Sequence, residues 1–177
     1  EIKHSGDDLL HIINDVLTLI TLEAKQMPID KCFFNLSNIC HELIEETKSQ
    51  IPSDKKIDLV IDIDKTPERL VGDLNKIKEI MTKLLGNAIK FTNKGQICLK
   101  VKPLSQIDSE HQILIEVIDT GMGVSEEECE YIFDSFRQAD SSGTRSFNGT
   151  GIGLTICQGL AESMNSTIQV ESEPGKG

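Results

Sequence analysis

The chain has 177 residues, 38% hydrophobic and 27% charged, a composition that argues for a globular protein with a packed core rather than a disordered one. Its 18 Lys plus Arg against 29 Asp plus Glu leave a formal charge of −11, which repels a phosphate backbone over most of the surface and argues against nucleic acid as a partner. No apolar run approaches the roughly 20 residues of a membrane helix, and the first residues lack the blocks of a signal peptide, so a direct membrane segment is not expected.

From Asp7 to Glu23, Leu9, Leu10, Ile12, Ile13, Val16, Leu17, Leu19 and Ile20 recur at helical spacing over more than half of the helix surface. A stripe that wide suggests a bundle completed by a preceding helix or by another chain, with a helix lying on its own domain as the alternative. After Met27-Pro28 a short strand is predicted at residues 32–36, then a helix capped by Ser37 and running to about Gln50. This switch marks the predicted domain boundary, with residues 1–27 on one side and 28–177 on the other. Ile57, Leu59, Ile61 and Ile63 alternate with Asp58, Val60 and Asp62, the pattern of a half-buried strand. Asp73 then caps a long helix whose Leu74, Ile77, Ile80, Met81, Leu84, Leu85, Ala88 and Ile89 share one side. Strands are predicted at residues 96–102 and 112–119, a capping box at Ser125 and Glu128 starts a helix through Ile132, and residues 137–148 read as loop. A helix at residues 151–164 and a strand at 167–170 complete an α+β class, with a mixed sheet carrying helices on one face after one long N-terminal helix. Cys32, Cys40, Cys98, Cys129 and Cys157 are scattered without metal-ligand spacing and read as reduced thiols of a cytosolic compartment.

Three segments carry candidate chemistry. In L-L-G-N-A-I-K-F-T, residues 84–92, Asn87 and Lys90 share a helix side away from the apolar one. An amide oxygen is a hard ligand suited to Mg²⁺ when a nucleotide supplies the negative charge, and Lys90 offers a point charge to phosphates. In I-D-T-G-M-G, residues 118–123, Asp119 at a strand end only accepts hydrogen bonds, so it suits the amino group of adenine and repels the carbonyl of guanine. Gly121 and Gly123 let backbone approach the base. In G-T-G-I-G-L, residues 149–154, glycines open the start of a helix, where amides and dipole favour phosphate. A Rossmann turn is disfavoured because no strand precedes it, and a P-loop because no G-K-[ST] follows.

In this order, with Phe133 and Phe136 between the second and third segments, the motifs resemble the N box, first glycine box, F box and second glycine box of sensor histidine kinases, within the GHKL ATPase superfamily. The resemblance covers nearly the whole chain. It implies a two-layer sandwich of the GHKL (Bergerat) type, with residues 1–27 similar to the second helix of the dimerisation and histidine-phosphotransfer hairpin and residues 28–177 to the ATP-binding domain, its last strand missing. The cofactors implied are ATP and Mg²⁺. Residue by residue, Asn87 would reach the metal, Lys90 the phosphates and Phe91 the purine, and Asp119, Gly121 and Gly123 would form the base pocket. Phe133 and Phe136 would anchor a lid whose Arg137 and Arg145 meet polyphosphate, and Gly149, Thr150, Gly151, Gly153 and Leu154 would form its phosphate side.

The implied activity is transfer of the γ-phosphoryl of ATP to a histidine on a helix upstream of Glu1, for relay to an aspartate of a response-regulator receiver. The implied assembly is a homodimer through the N-terminal hairpin, in the cytoplasm or the cytoplasmic part of a membrane-bound receptor. No histidine of this chain suits the acceptor role: His41 begins H-E-L but continues I-E-E after the second helix. Related ATPases that activate water place a Glu four residues before the magnesium Asn, and sensor kinases usually an Asn; here Lys83 stands there, and no ammonium acts as a base at neutral pH. Asn148 and the Asn165-Ser166 turn also depart from the family's glycines, and with Lys83 they motivate a second reading as a degenerate signalling module without phosphotransfer.

Overall fold

The computed structural model describes residues 2–24, 27–107, 110–137 and 150–177. The chain packs as two compact units, one of Asp30–Ser125 with Ser172–Gly177, the other of Glu1–Ile29 with Glu126–Glu171.

In the first unit, β1 (Cys32–Phe34) pairs antiparallel with β3 (Leu70–Gly72), and β2 (Lys56–Ile63), β4 (Lys94–Ile107) and β5 (Glu110–Asp119) form a mixed sheet in the order β2-β4-β5. β2 runs parallel to β4 while β4 and β5 are antiparallel. A parallel pair needs a crossover, and here α3 (Leu74–Phe91) supplies it, packing together with α2 (Leu36–Gln50) on the sheet. The alternation of the strands decides which face is covered. Ile97, Leu99 and Val101 of β4 are fully buried among Leu43, Ile44, Met81, Leu85 and Ala88 of the two helices, with Leu59, Ile61, Ile115 and Val117 beside them. On the other face, Asp62, Lys100 and Glu116 stand side by side across the three strands, and Lys100 pairs with Asp62 at 3.0 Å. Burial of Cys40 within this core pushes its thiol up to about 11, consistent with an inert reduced thiol, and none of the five cysteines forms a disulfide.

Four boundaries differ from the sequence expectation. The cap of α2 is Asn35, whose side chain accepts from the Asn38 N–H, rather than Ser37; this places Leu36 in the first turn, where it is buried. β1 is correspondingly shorter. β4 runs on to Ile107 and β5 begins at Glu110, and β4 accommodates Pro103 beyond the end of its pairing with β2, next to a register irregularity between Pro103 and Ser105. β3 is an additional strand.

In the second unit, α1 (Ile2–Glu23) packs on α5 (Gly153–Ser163). Leu9, Leu10, Ile12, Ile13, Leu17 and Ile20 of α1 are exposed. The helix after Ser125 is only α4 (Glu126–Cys129); it does not reach Ile132, because the Tyr131 and Asp134 amides bond three residues back to Glu128 and Tyr131 and tighten the chain into turns. Residues 167–170 are not a strand: the apolar alternation is present, but a strand exists only through a ladder, and none pairs with them among the described residues. α5 ends in a Schellman turn, with Asn165 at φ 55° and the Ser166 and Asn165 amides bonded to Ala161 and Glu162 carbonyls, so asparagine replaces the usual glycine at modest cost. No helix among the described residues is long and apolar enough to cross a membrane.

Candidate nucleotide site

The crossover explains why the first two motifs meet. A short connection through Thr92 and Asn93 takes α3 directly into β4, and Ile97 near the start of β4 is paired with Asp119 at the end of β5. The last turn of α3 therefore lies beside the D-T-G-M-G turn. Asp119 Oδ1 accepts from the Gly121 N–H at 2.8 Å and the Thr92 hydroxyl at 3.3 Å, whereas Oδ2 takes no protein hydrogen bond among the described residues. One carboxylate oxygen is fixed and the other is open, on a half-buried residue. Thr92, wholly buried, was not singled out from sequence, although it ends the first motif.

Gly121 is demanded by space rather than by dihedral angle. A Cβ there would stand 2.6 Å from Asp119 Oδ1, 2.7 Å from the Phe91 carbonyl oxygen and 3.0 Å from the Thr92 hydroxyl. Gly121→Ala should therefore displace the Asp119 carboxylate and reduce adenine-nucleotide affinity at least tenfold while the far-ultraviolet dichroism stays native; unchanged affinity in a calorimetric titration would refute this. Gly123 has φ 61°, and a Cβ on it would run into the Glu173 carbonyl. The residues 172–177 form a brace here. Ser172 Oγ accepts from the Val124 N–H at 2.9 Å and donates to the Gly177 carbonyl at 2.8 Å, and the Gly175 N–H donates to the Met122 carbonyl at 2.7 Å.

Asn87 and Lys90 follow on α3, both half-buried. Burial pushes the Lys90 ammonium below its usual range; the nearest ring is Phe91, 4.9 Å from Nζ to centroid, and no carboxylate pairs with Lys90 among the described residues. No cluster of three or more His, Cys, Asp or Glu suited to a metal occurs among the described residues. A divalent cation here would have to take one oxygen from Asn87 and the rest from phosphate and water, which is the way Mg²⁺ is commonly held.

The remaining predicted residues belong to the other unit. The Phe136 N–H donates to the Gly151 carbonyl at 3.0 Å, and Phe136 is exposed with φ 64°. Gly151, at φ 68°, sits so close to the backbone of Phe136 and Arg137 that a Cβ would be 2.8 Å from the Arg137 carbonyl. Arg137 pairs with Asp134 at 3.0 Å and lies over the Tyr131 ring. The Phe133 carbonyl accepts from the Thr155 hydroxyl at 2.7 Å, Thr150 Oγ1 accepts from the Ile152 N–H, and Leu154 is half-buried. Gly153 opens α5, where Ile152 at the cap offers no side-chain hydrogen bond to the first-turn amides. A Cβ on Gly153 would meet nothing, so space does not require this glycine. Arg145, Asn148 and Gly149 lie outside the described residues.

Residues 72–177 match the family model described as histidine kinase-, DNA gyrase B-, and HSP90-like ATPase. The chain is 37% identical to hybrid signal transduction histidine kinase L of Dictyostelium discoideum and 36% identical to the signal transduction histidine-protein kinase BarA of Escherichia coli strain K12, over 99% of its own length in each case. It spans 10% and 19% of those two proteins. Among solved structures, full-length ShkA in complex with AMPPNP is similar over 98% of this chain and 35% of ShkA, with a TM-score of 0.83 and 28% identity. With motifs, sheet topology and relatives in agreement, the chain belongs to the histidine kinase-, DNA gyrase B- and HSP90-like ATPase family, in its sensor histidine kinase branch.

Proposed function

We propose that this chain is the ATP-binding catalytic region of a sensor histidine kinase, binding Mg-ATP and donating its γ-phosphoryl to a histidine outside these residues, for relay to a receiver aspartate. The observation that carries the reading is the Asp119 carboxylate, with Oδ1 tied to Gly121 and Thr92 and Oδ2 open. Adenine presents an amino donor to such an acceptor, and guanine an opposing carbonyl. Lys90 is a desolvated cation that no carboxylate pairs with among the described residues, a situation that an anionic phosphate relieves. Within its own unit, the start of α5 receives no side-chain hydrogen bond from its cap Ile152, and a helix start with the positive end of its dipole is itself suited to phosphate. Asn87 would hold Mg²⁺, which neutralises charge on the phosphates when bound.

In the transfer itself, the acceptor imidazole nitrogen forms a bond to the γ-phosphorus as the bond to the bridging oxygen breaks and ADP leaves. A neutral imidazole is already a nucleophile, so this step asks for positioning rather than a general base. Lys83 in place of an acidic residue is compatible with that demand and opposes a water-activating ATPase. Similarity to histidine kinases along almost the entire chain weighs against the degenerate reading. We assign residues 1–27 to the dimerisation hairpin and 28–177 to the ATP-binding domain, and the exposed apolar side of α1 supports a homodimeric bundle in the whole protein. Phosphoryl relay implies a response-regulator receiver as the further partner.

The test is calorimetric titration with ADP and ATP, with and without Mg²⁺, and with GTP as control. Adenine-selective binding that Mg²⁺ strengthens is the expected result. Equal affinity for GTP, or none for ADP by a folded sample, would refute the nucleotide-site reading.

A further inference from the structure

Lys55 lies in the connection between α2 and β2, outside every motif, yet its ammonium donates to the carbonyls of Ile89 at 2.5 Å, Lys90 at 3.0 Å and Thr92 at 2.9 Å. Three donors meet three acceptors, which exhausts the hydrogen-bonding capacity of a lysine. Two of these carbonyls belong to the last turn of α3 and the third to its cap; such groups have no partner within a helix, and the negative end of the dipole favours a cation there. Many helices turn through a left-handed residue to satisfy them. α3 cannot, because its cap Thr92 is extended and the chain passes at once into β4. Lys55 supplies the missing partners from 34 to 37 residues away. The adjoining Lys56 N–H bonds to the Asn93 carbonyl at 3.0 Å and fastens the same connection.

The residues so held are those that build the pocket wall. Thr92 is gripped from both ends, its carbonyl by Lys55 and its hydroxyl by Asp119 Oδ1, and the neighbouring Phe91 carbonyl packs against Gly121. We propose that Lys55 is a positioning residue of the nucleotide pocket, which holds the end of α3 so that Thr92 and Phe91 present Asp119 in its binding orientation. The inference rests on the reading of Asp119 as the adenine acceptor.

The experiment titrates the 177-residue chain with ADP, as wild type, Lys55→Met and Lys55→Arg, well below each thermal midpoint. Lys55→Met should weaken ADP about tenfold, and Lys55→Arg should regain most of that because it keeps several charged donors. A purely structural lysine would lower the thermal midpoint and leave the dissociation constant of the folded protein unchanged, which would overturn the proposal. Should Lys55→Met fail to fold, hydrogen exchange of the wild type decides: ADP should slow the amides of residues 53–56 together with those of 90–93, and slowing at 90–93 alone would overturn it. A wild-type chain that binds no ADP would remove the pocket reading and this inference together, whereas ADP bound equally by wild type and Lys55→Met removes this inference only.

Discussion

Asp119→Asn should weaken ADP binding by about 10- to 100-fold, the loss expected when a charge-assisted hydrogen bond of roughly 1.5–3 kcal/mol is replaced by a weaker or mismatched one. The substitution is informative because the two carboxylate oxygens have separate tasks. Oδ1 serves the protein, accepting from the Gly121 N–H and the Thr92 hydroxyl, and an asparagine carbonyl can take over that duty. The amide NH₂ then occupies the place of Oδ2, where a donor faces the adenine amino group. Folding should survive while base recognition is lost. The same donor suits the guanine carbonyl, so the ADP preference over GDP should narrow as well as the absolute affinity fall. The check is a pair of titrations together with a thermal midpoint; an unchanged ADP constant would mean that Asp119 only organises the turn.

The pocket was legible from sequence to the extent that its parts are local. Asp73 as a cap, the one-sided apolar face of α3 and the acidic residue ending β5 all follow from neighbours within a few positions, and the structure has them in place. What escaped was set by distant partners. β3 has three residues, too few for any period to appear, and exists because Leu70–Gly72 finds β1. Residues 167–170 show the opposite case, a strand-like alternation without a ladder among the described residues. The α2 cap turned on the choice between Asn35 and Ser37, both good caps, and burial of Leu36 decided it. Lys55 had no sequence signal at all, since nothing local distinguishes a lysine that reaches three carbonyls across the fold from one that points into water. Candidate site residues carried by motifs are readable one segment at a time; a contact that reaches across the fold, as that of Lys55 does, is not.

The largest stability effect is expected at the opposite end of α3. Asp73 is 3% exposed and takes four roles at once: its Oδ1 caps the Lys76 N–H at 3.1 Å, its Oδ2 accepts from the Asp30 N–H at 3.0 Å, and it forms a buried ion pair and hydrogen bond with the Lys76 ammonium at 2.5 Å. Burial by itself would raise its pKa, but the Lys76 ammonium and the two backbone amides outweigh burial and hold the carboxyl below its usual range. Asp73→Asn keeps a capping oxygen and the shape of the side chain but breaks the buried ion pair with Lys76, and breaking such a pair by removing one charge costs about 3–5 kcal/mol. A loss of that size is a large share of the stability of an ordinary domain. The pH dependence identifies the cause. Because the carboxyl titrates lower in the folded than in the unfolded chain, its contribution is complete above the unfolded value of about 4 and disappears as pH falls through the lower folded value. The wild-type and Asp73→Asn denaturation curves should thus lie far apart at neutral pH and converge in acid. A second substitution, Lys76→Met, should recover part of the loss at neutral pH by removing the other buried charge of the broken pair. A gap that persisted unchanged into acid would show that the loss does not come from the Asp73–Lys76 ion pair, and the absence of a gap at neutral pH would show that Asp73 acts as a cap alone at the start of the helix that ends in Asn87, Lys90 and Phe91.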